Sequence, residues 1–351
     1  MDIKLRFNRI IWTNLIVYSL IHCLVDLVPA GVLFSIPGLK LADEQTFFFL
    51  ILIYGVLAFG TQPLLGLIID HFQKPKETAL LGLLMISLAL FVFHNSVLLF
   101  VILVGIGNAI FHIGAGTITL NLTPTKATAP GLYVATGALG LLIGTLLGKA
   151  GNFVAWPFSI AVLIGALLIV KLKTPKLDYK KNNIQPDKIK PWLIATILIF
   201  TTILLRSLVG TILVFPWKSQ IDLLYLLTFG VVMGKAFGGW LADRFGWERI
   251  AVGGLLLSTP LLVFAKEIPI LAIIGIFLFN FTMPVTLVAL SNLLPGRPGF
   301  AFGLTCFALF LGSIPAFIGA IPTLAAPINV LIFIMFAAGA LYVALPNIKK
   351  L

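Results

Sequence analysis

Five ionisable side chains lie within long apolar stretches of this sequence, where a charge is costly and usually functional. They are His22, Asp26, His112, Arg206 and Lys235. His22 and Asp26 are four residues apart, so on a helix they share one face. A carboxylate beside an imidazole in a dry site can hold or release one proton near neutral pH, which is the chemistry of proton coupling. An Asp–His hydrogen bond that only fixes helix packing is the alternative.

The other three groups allow more than one role each. His112 either takes a direct part in proton coupling or donates a hydrogen bond between helices. Arg206 and Lys235, if they face one cavity, would favour an anionic substrate, because Arg binds carboxylate or phosphate through two parallel hydrogen bonds. Alternatively, one of them pairs with Asp26 in a salt bridge that breaks when the conformation changes.

The composition identifies the environment of these groups. Of the 351 residues, 60% are hydrophobic and 10% are charged, far from the roughly 25% charged residues of soluble domains. A spanning helix needs about 20 mainly apolar residues. The sequence therefore predicts an all-α integral membrane protein with twelve spans. They are Ile10–Phe34, Thr46–Ile69, Ala79–His94, Ser96–Leu120, Ala129–Gly148, Phe153–Val170, Pro191–Val214, Leu223–Ala242, Ile250–Ala265, Ile268–Leu294, Gly299–Ile321 and Leu324–Leu345.

The net charge of +12 follows the predicted topology. With a cytoplasmic N-terminus, 18 of the 24 basic residues fall on the cytoplasmic side and four on the other. This positive-inside bias predicts an inner (cytoplasmic) membrane protein with both termini in the cytoplasm, and it argues against a nucleic-acid partner.

One basic, polar segment divides the spans into six and six. Residues 171–190 contain seven Lys and two Pro, with no apolar helical period. We expect a cytoplasmic linker here, between an N-terminal half at 1–170 and a C-terminal half at 191–351. Duplicated halves are a common way of building a central site that opens alternately to each side of a membrane.

Each half carries the same local signal after its second span. Gly66 precedes Asp70 by four residues, and Gly239 precedes Asp243 by four, with Arg244 following. Glycine lets helices approach closely, and the carboxylate can hold a helix N-terminus or a cation. We expect these five residues to control conformational gating.

These motifs resemble those of the major facilitator superfamily, whose second-to-third-span loop carries Gly-x-x-x-Asp-Arg/Lys-x-Gly. Four further segments resemble its fosmidomycin-resistance branch: HCLVD at His22–Asp26, QPLLG at Gln62–Gly66, GIGNAIFH at Gly105–His112 and LLPGRPG at Leu293–Gly299. The resemblance implies a twelve-helix bundle of two six-helix halves. It also implies a secondary active transporter that moves a small anionic or amphiphilic compound by alternating access, as proton-coupled efflux of the kind that confers drug resistance.

Two departures from the family pattern weaken that mechanism. The family has His-Pro-Glu where this chain has His112-Ile113-Gly114, and family exporters often have Pro where this chain has Thr145. They favour an alternative, an uptake carrier or uniporter for an organic anion. The small residues from Gly137 to Gly148 still predict a smooth face for close helix packing.

Other classes of function find little support in the sequence. It has no phosphate-binding Gly-rich loop with Lys, no His/Cys/carboxylate set at metal-ligand spacing and no segment that could form a catalytic domain. We expect no enzyme activity, cofactor or metal; a membrane-embedded enzyme or scaffold is the remaining alternative. The expected partners are a small-molecule substrate, protons and the lipid bilayer, with the protein a monomer.

Overall fold

The protein is nearly all helical in the part of the chain that its computed structural model describes, residues 3–175, 177, 179 and 185–348. The α-helices are α1 Ile3–Ser35, α2 Glu44–Gly55, α3 Gln62–Phe72, α4 Pro75–Val92, α5 Val97–Leu122, α6 Thr128–Lys149, α7 Ala155–Lys171, α8 Ile189–Ile212, α9 Ile221–Phe245, α10 Trp247–Phe264, α11 Pro269–Phe279, α12 Thr282–Leu293, α13 Pro298–Phe317, α14 Ile321–Leu324 and α15 Pro327–Ile348. A π-helical turn, Val56–Gly60, joins α2 to α3.

Eleven helical segments among the described residues are long and apolar enough to cross a membrane. The shorter α7 occupies the position of the predicted sixth span. Large apolar side chains cover the outer helix faces, with Phe91 70% exposed and Phe264 74% exposed. Such surfaces are stable in hydrocarbon and unfavourable in water. The prediction of an all-α, multi-pass membrane protein is confirmed.

Two spans are interrupted within the membrane. The second consists of α2, the π-helical turn and α3, and the tenth consists of α11 and α12 with a break at Asn280–Phe281. A π-turn inserts an extra residue into a helix and often marks a functional site. Phe59 at the first break contacts His112, and Phe279 next to the second contacts Arg206, so both breaks bear on the sites described below.

The chain forms two compact units. Unit 1 comprises Met1–Pro124, Thr136–Tyr179 and Arg297–Gly303, and unit 2 comprises Thr125–Ala135, Lys180–Gly296 and Leu304–Leu351. The first turns of α6 therefore belong to unit 2, and the first turns of α13 belong to unit 1. The division at a 171–190 linker stays a prediction, and residues 176, 178 and 180–184 of that segment lie outside the described residues.

Within unit 1, α6 packs directly on α1 through its glycines. A Cβ on Gly140 would overlap the Cys23 carbonyl, and one on Gly144 would overlap the Leu27 carbonyl. The two backbones therefore approach more closely than any other residue would allow. The predicted packing face of the fifth span is present, and it fixes α1, which carries His22 and Asp26.

Within unit 2, α8 packs against α12, α13 and α15. The Trp192 indole N–H donates to the Leu293 carbonyl at 2.6 Å, and the Ser207 hydroxyl donates to the Leu309 carbonyl at 2.5 Å. These contacts hold α8 in a defined rotation about its axis, and that rotation directs Arg206 into unit 2.

Candidate functional site

His22, Asp26 and His112 form one cluster in unit 1. Nε2 of His22 lies 3.3 Å from Oδ2 of Asp26, and Nε2 of His112 lies 3.5 Å from Oδ1 of the same carboxylate. The two Nε2 atoms are 2.9 Å apart. The cluster joins α1 to α5, so His112 completes the pair expected from the i,i+4 spacing on α1.

The cluster is nearly closed to solvent. The side chains of both histidines are 6% exposed, whereas the Asp26 side chain is 19% exposed. An ion or proton therefore reaches the cluster most directly from the side of Asp26. In this low-dielectric setting, charge interactions among the three groups are much stronger than they would be in water.

The backbone of α5 assigns the tautomer of His112. Its Nδ1 lies 2.9 Å from the Asn108 carbonyl oxygen, which can only accept a hydrogen bond. Nδ1 therefore carries a proton, and whenever the ring is neutral its Nε2 presents a lone pair to His22 and Asp26. The Asn108 side chain also approaches Oδ1 of Asp26, at 3.5 Å.

The walls of the cluster leave little free space. A Cβ on Gly137 of α6 would lie 2.6 Å from Cε1 of His22, so only glycine fits there. Aromatic rings surround His112, with the Phe111, Phe59 and Phe302 centroids 5.9, 6.4 and 6.5 Å from the imidazole centroid. Phe59 belongs to the π-helical turn. The interruption in the second span thus supplies one wall of the site.

Linear spacing did not reveal this three-residue set. His112 is 86 residues beyond Asp26, yet one ligand atom from each of the three side chains lies within 4.8 Å of the other two. A signal was present in the glycines of the fourth span. A Cβ on Gly107 would lie 3.0 Å from the Gly82 carbonyl, so α5 packs closely on α4 and its rotation is restricted. The sequence alone did not indicate which face of α5 is directed towards α1.

Arg206 is the second unusual group, and it lies in unit 2. It is 5% exposed, and its Nε has no hydrogen-bond partner. Its guanidinium lies over the Phe279 ring at 5.3 Å, just before the break between α11 and α12. Among the described residues of unit 2 no carboxylate forms an ion pair with it. A buried cation without an anion is costly unless a ligand supplies the negative charge.

Lys235 lies in α9 of unit 2 and is half-buried. Its ammonium group is 3.4 Å from the Val134 carbonyl oxygen, at the start of α6. A shared cavity for Lys235 and Arg206 stays a prediction.

The two motif aspartates form equivalent helix caps. Oδ1 and Oδ2 of Asp70 accept the backbone N–H groups of Gly299 and Phe300, both at 2.8 Å. These amides lie in the first turn of α13, which has few other partners for them. A Cβ on Gly66 would overlap the Gly299 carbonyl. Glycine therefore allows the approach, and the carboxylate four residues later stabilises it.

The second copy repeats this arrangement within unit 2. Asp243 accepts the N–H groups of Ala127 and Thr128, both at 2.9 Å, and the Thr128 hydroxyl at 2.6 Å. A Cβ on Gly239 would overlap the Ala127 carbonyl. The helix capped here is α6. Arg244, the next motif residue, is exposed and lies over the Trp240 ring at 5.6 Å.

Comparison with known proteins agrees with this architecture. Residues 18–320 match the family model described as Major Facilitator Superfamily. An uncharacterised MFS-type transporter, YfnC of Bacillus subtilis (strain 168), is 27% identical over 394 residues, with 97% of this chain and 94% of that protein covered.

Solved structures show the same fold at low identity. The fucose:proton symporter FucP of E. coli superposes with a TM-score of 0.70 at 14% identity, over 95% of this chain and 98% of that one. The human organic anion transporter MFSD10 (TETRAN) superposes with a TM-score of 0.68 at 13% identity, over 99% and 100%. The family and fold are those of transporters rather than enzymes, whereas the fosmidomycin-resistance branch stays a prediction. The chain belongs to the Major Facilitator Superfamily, whose members carry out secondary transport by alternating access.

Proposed function

We propose that this protein exports a small anionic or amphiphilic compound in exchange for protons, with His22, Asp26 and His112 as the proton-coupling site. The observation that carries the proposal is the carboxylate of Asp26 within 3.3 and 3.5 Å of two buried imidazoles. Three groups this close can share a proton, and each protonation state changes the charge inside the membrane by one unit. A carrier needs such a change to couple proton movement to its cycle.

The substrate class follows from Arg206. The cation is buried and its Nε has no hydrogen-bond partner, so a carboxylate or phosphate on the substrate would supply a counter-charge and an acceptor for Nε. We assign Lys235 to the same role as a second, weaker contact. The human organic anion transporter with the same fold supports an anionic substrate, and the fucose:proton symporter supports proton coupling.

We assign conformational gating to Gly66, Asp70, Gly239, Asp243 and Arg244. The supporting contacts are the two caps, which hold the starts of α13 and α6 through carboxylate–amide hydrogen bonds. A small number of hydrogen bonds at helix ends can be broken and remade at modest cost. We further propose an inner-membrane location and cytoplasmic termini, which the basic-residue distribution given above supports, and we assign the protein as a monomer.

The decisive experiment is transport by the purified protein in liposomes with an imposed pH gradient, using a panel of organic anions. Export should depend on the gradient, and Asp26→Asn should remove that dependence while counterflow of unlabelled for labelled substrate continues. Glu248→Gln, at a half-buried carboxylate in α10, is the matched control. Flux that ignores the gradient in the wild type would eliminate proton coupling.

A second function, uptake or uniport of an organic anion, is favoured by Arg206 and by the missing carboxylate after His112. This second function predicts substrate counterflow without proton movement, and Arg206→Ala should abolish that counterflow. The two functions are separated by measuring internal pH during substrate movement: acidification linked to export supports the first, and unchanged pH supports the second.

A further inference from the structure

We propose that His22, Asp26 and His112 form a binding site for a divalent first-row transition-metal ion. The ligands are the two imidazole Nε2 atoms and the Asp26 carboxylate, and at least one coordination position remains open. The proposal concerns the same side chains as the proton-coupling site, but the binding itself does not depend on transport.

The spacing of the ligand atoms fits a metal ion. Bonds of 2.0–2.1 Å to nitrogen and oxygen at tetrahedral angles separate neighbouring ligand atoms by about 3.3 Å. The observed separations are 2.9 Å between the two Nε2 atoms, 3.3 Å from His22 to Asp26 and 3.5 Å from His112 to Asp26. An ion could therefore bind with side-chain adjustments of a few tenths of an ångström.

The orientation of the His112 ring also suits metal binding, in addition to the distances between the ligand atoms. The Asn108 carbonyl holds the Nδ1 proton, which leaves the Nε2 lone pair directed into the cluster. Ligating histidines in metalloproteins usually donate their other ring N–H to a carbonyl or carboxylate, because that bond fixes the ring and makes the ligating nitrogen more basic. Asn108 supplies this second contact.

The donor set selects a class of ion. Two imidazoles and one carboxylate suit Zn²⁺, Fe²⁺ or Co²⁺, whereas Mg²⁺ and Ca²⁺ prefer oxygen ligands alone. Structural zinc sites have four protein ligands and are closed, but this cluster offers three. We therefore infer an exchangeable ion that enters from the side of Asp26. The bound ion occupies the lone pairs that a coupling proton would use, so metal binding should inhibit proton-coupled flux. This consequence alone rests on the proposed function.

Equilibrium titration of the tag-free protein with Co²⁺ tests the site, because Co²⁺ bound to nitrogen and oxygen ligands absorbs visible light. We expect one ion per chain, displaced by Zn²⁺. Asp26→Asn and His112→Gln should each weaken binding by at least about tenfold. The double variant His71→Gln/His94→Gln is the matched control, since it removes the two exposed histidines and should bind as the wild type does.

Thermal melts of each variant without metal establish that the fold is retained, and only folded variants are titrated. Absence of saturable binding, or equal loss in the His71/His94 control, overturns the proposal. Flux measurements on the same preparations separate the two proposals. If the protein binds Co²⁺ but its export does not depend on the pH gradient, the metal site is retained and proton coupling is rejected. If export is proton-coupled but Co²⁺ does not bind, proton coupling is retained and the metal site is rejected.

Discussion

Asp70 and Asp243 cap helices in the same way, although they lie 173 residues apart in the sequence. Each carboxylate accepts two consecutive backbone N–H groups at 2.8–2.9 Å, and each stands four residues after a glycine on which no Cβ would fit. The duplication of the two halves stays a prediction, and it would account for this correspondence, because equivalent segments of two repeats make equivalent contacts. The first prediction tests these caps.

Removing the charge from either cap should destabilise the start of the helix that it holds. For Asp243→Asn we expect a loss of about 0.5–2 kcal/mol in the free energy of unfolding, since one amide oxygen replaces two carboxylate oxygens that accept from α6. Thermal unfolding in detergent measures the effect. Asp222→Asn, at the exposed start of the same helix α9, is the control. An unchanged melting temperature in Asp243→Asn would contradict the cap's contribution.

Gly137→Ala should disturb the histidine cluster without unfolding the protein. The new methyl group would overlap Oδ2 of Asp26 and lie 2.6 Å from Cε1 of His22, so at least one of these two side chains must shift. We expect proton-coupled flux to fall at least about tenfold, since a shift of about 1 Å in a positioned group can cost that much or more. Gly339→Ala is the matched control, because nothing lies within 4 Å of its added Cβ. Equal activity of both variants would show that the exact positions of His22 and Asp26 are unimportant.

Arg206→Met should raise stability and abolish binding of anions. Arg206 forms no ion pair within the described part of unit 2, so replacing it with an apolar side chain of similar length removes a desolvation penalty. We expect a gain of about 1–4 kcal/mol in the free energy of unfolding. Thermal unfolding measures stability, and protection by substrate measures binding. In Arg249→Met, at an exposed site, both quantities should stay close to those of the wild type. A large destabilisation by Arg206→Met would mean that the guanidinium has a structural partner.

Asp43 at the start of α2 provides a pH-dependent test outside the membrane-spanning segments. Hydrogen bonds from Thr46, through its side chain and its backbone amide, lower the pKa of Asp43 below its usual value. A group whose folded pKa is depressed stabilises the fold above its unfolded pKa, and the contribution is lost as the pH falls through the folded pKa. The first turn of α2 should therefore fray in acid.

Amide hydrogen exchange at Thr46 measures that fraying. In Asp43→Ala the amide should exchange faster than in the wild type at neutral pH, and the difference should shrink as acid protonates the wild-type carboxyl. Asp43→Asn keeps an accepting oxygen and should lie between the two. Equal exchange of all three proteins at neutral pH would contradict the cap.

Much of the architecture could be predicted from the sequence because apolar length is a local property. Stretches of about 20 apolar residues must form helices in a bilayer, where unpaired backbone groups are very costly. The interruptions carry a weaker signal: residues 56–60 are apolar and do not indicate a π-helical turn, but Pro63 at the start of α3 favours a kink close by. The break at Asn280–Phe281 lies within a predicted span, and the polar Thr282 and Pro284 that follow it also favour a kink.

The residues of the candidate site can also be separated by how much the sequence reveals about them. The sequence by itself determined that His22 and Asp26 share a helix face and that Arg206 lies in a span, since helical periodicity and hydropathy need no knowledge of other segments. Only the tertiary structure decided that His112 completes the cluster, that Gly137 closes it and that Arg206 finds no carboxylate within the described part of unit 2. Spans that are apolar on all sides carry no periodic signal for their rotation, and helix rotation is settled by packing against neighbouring backbones.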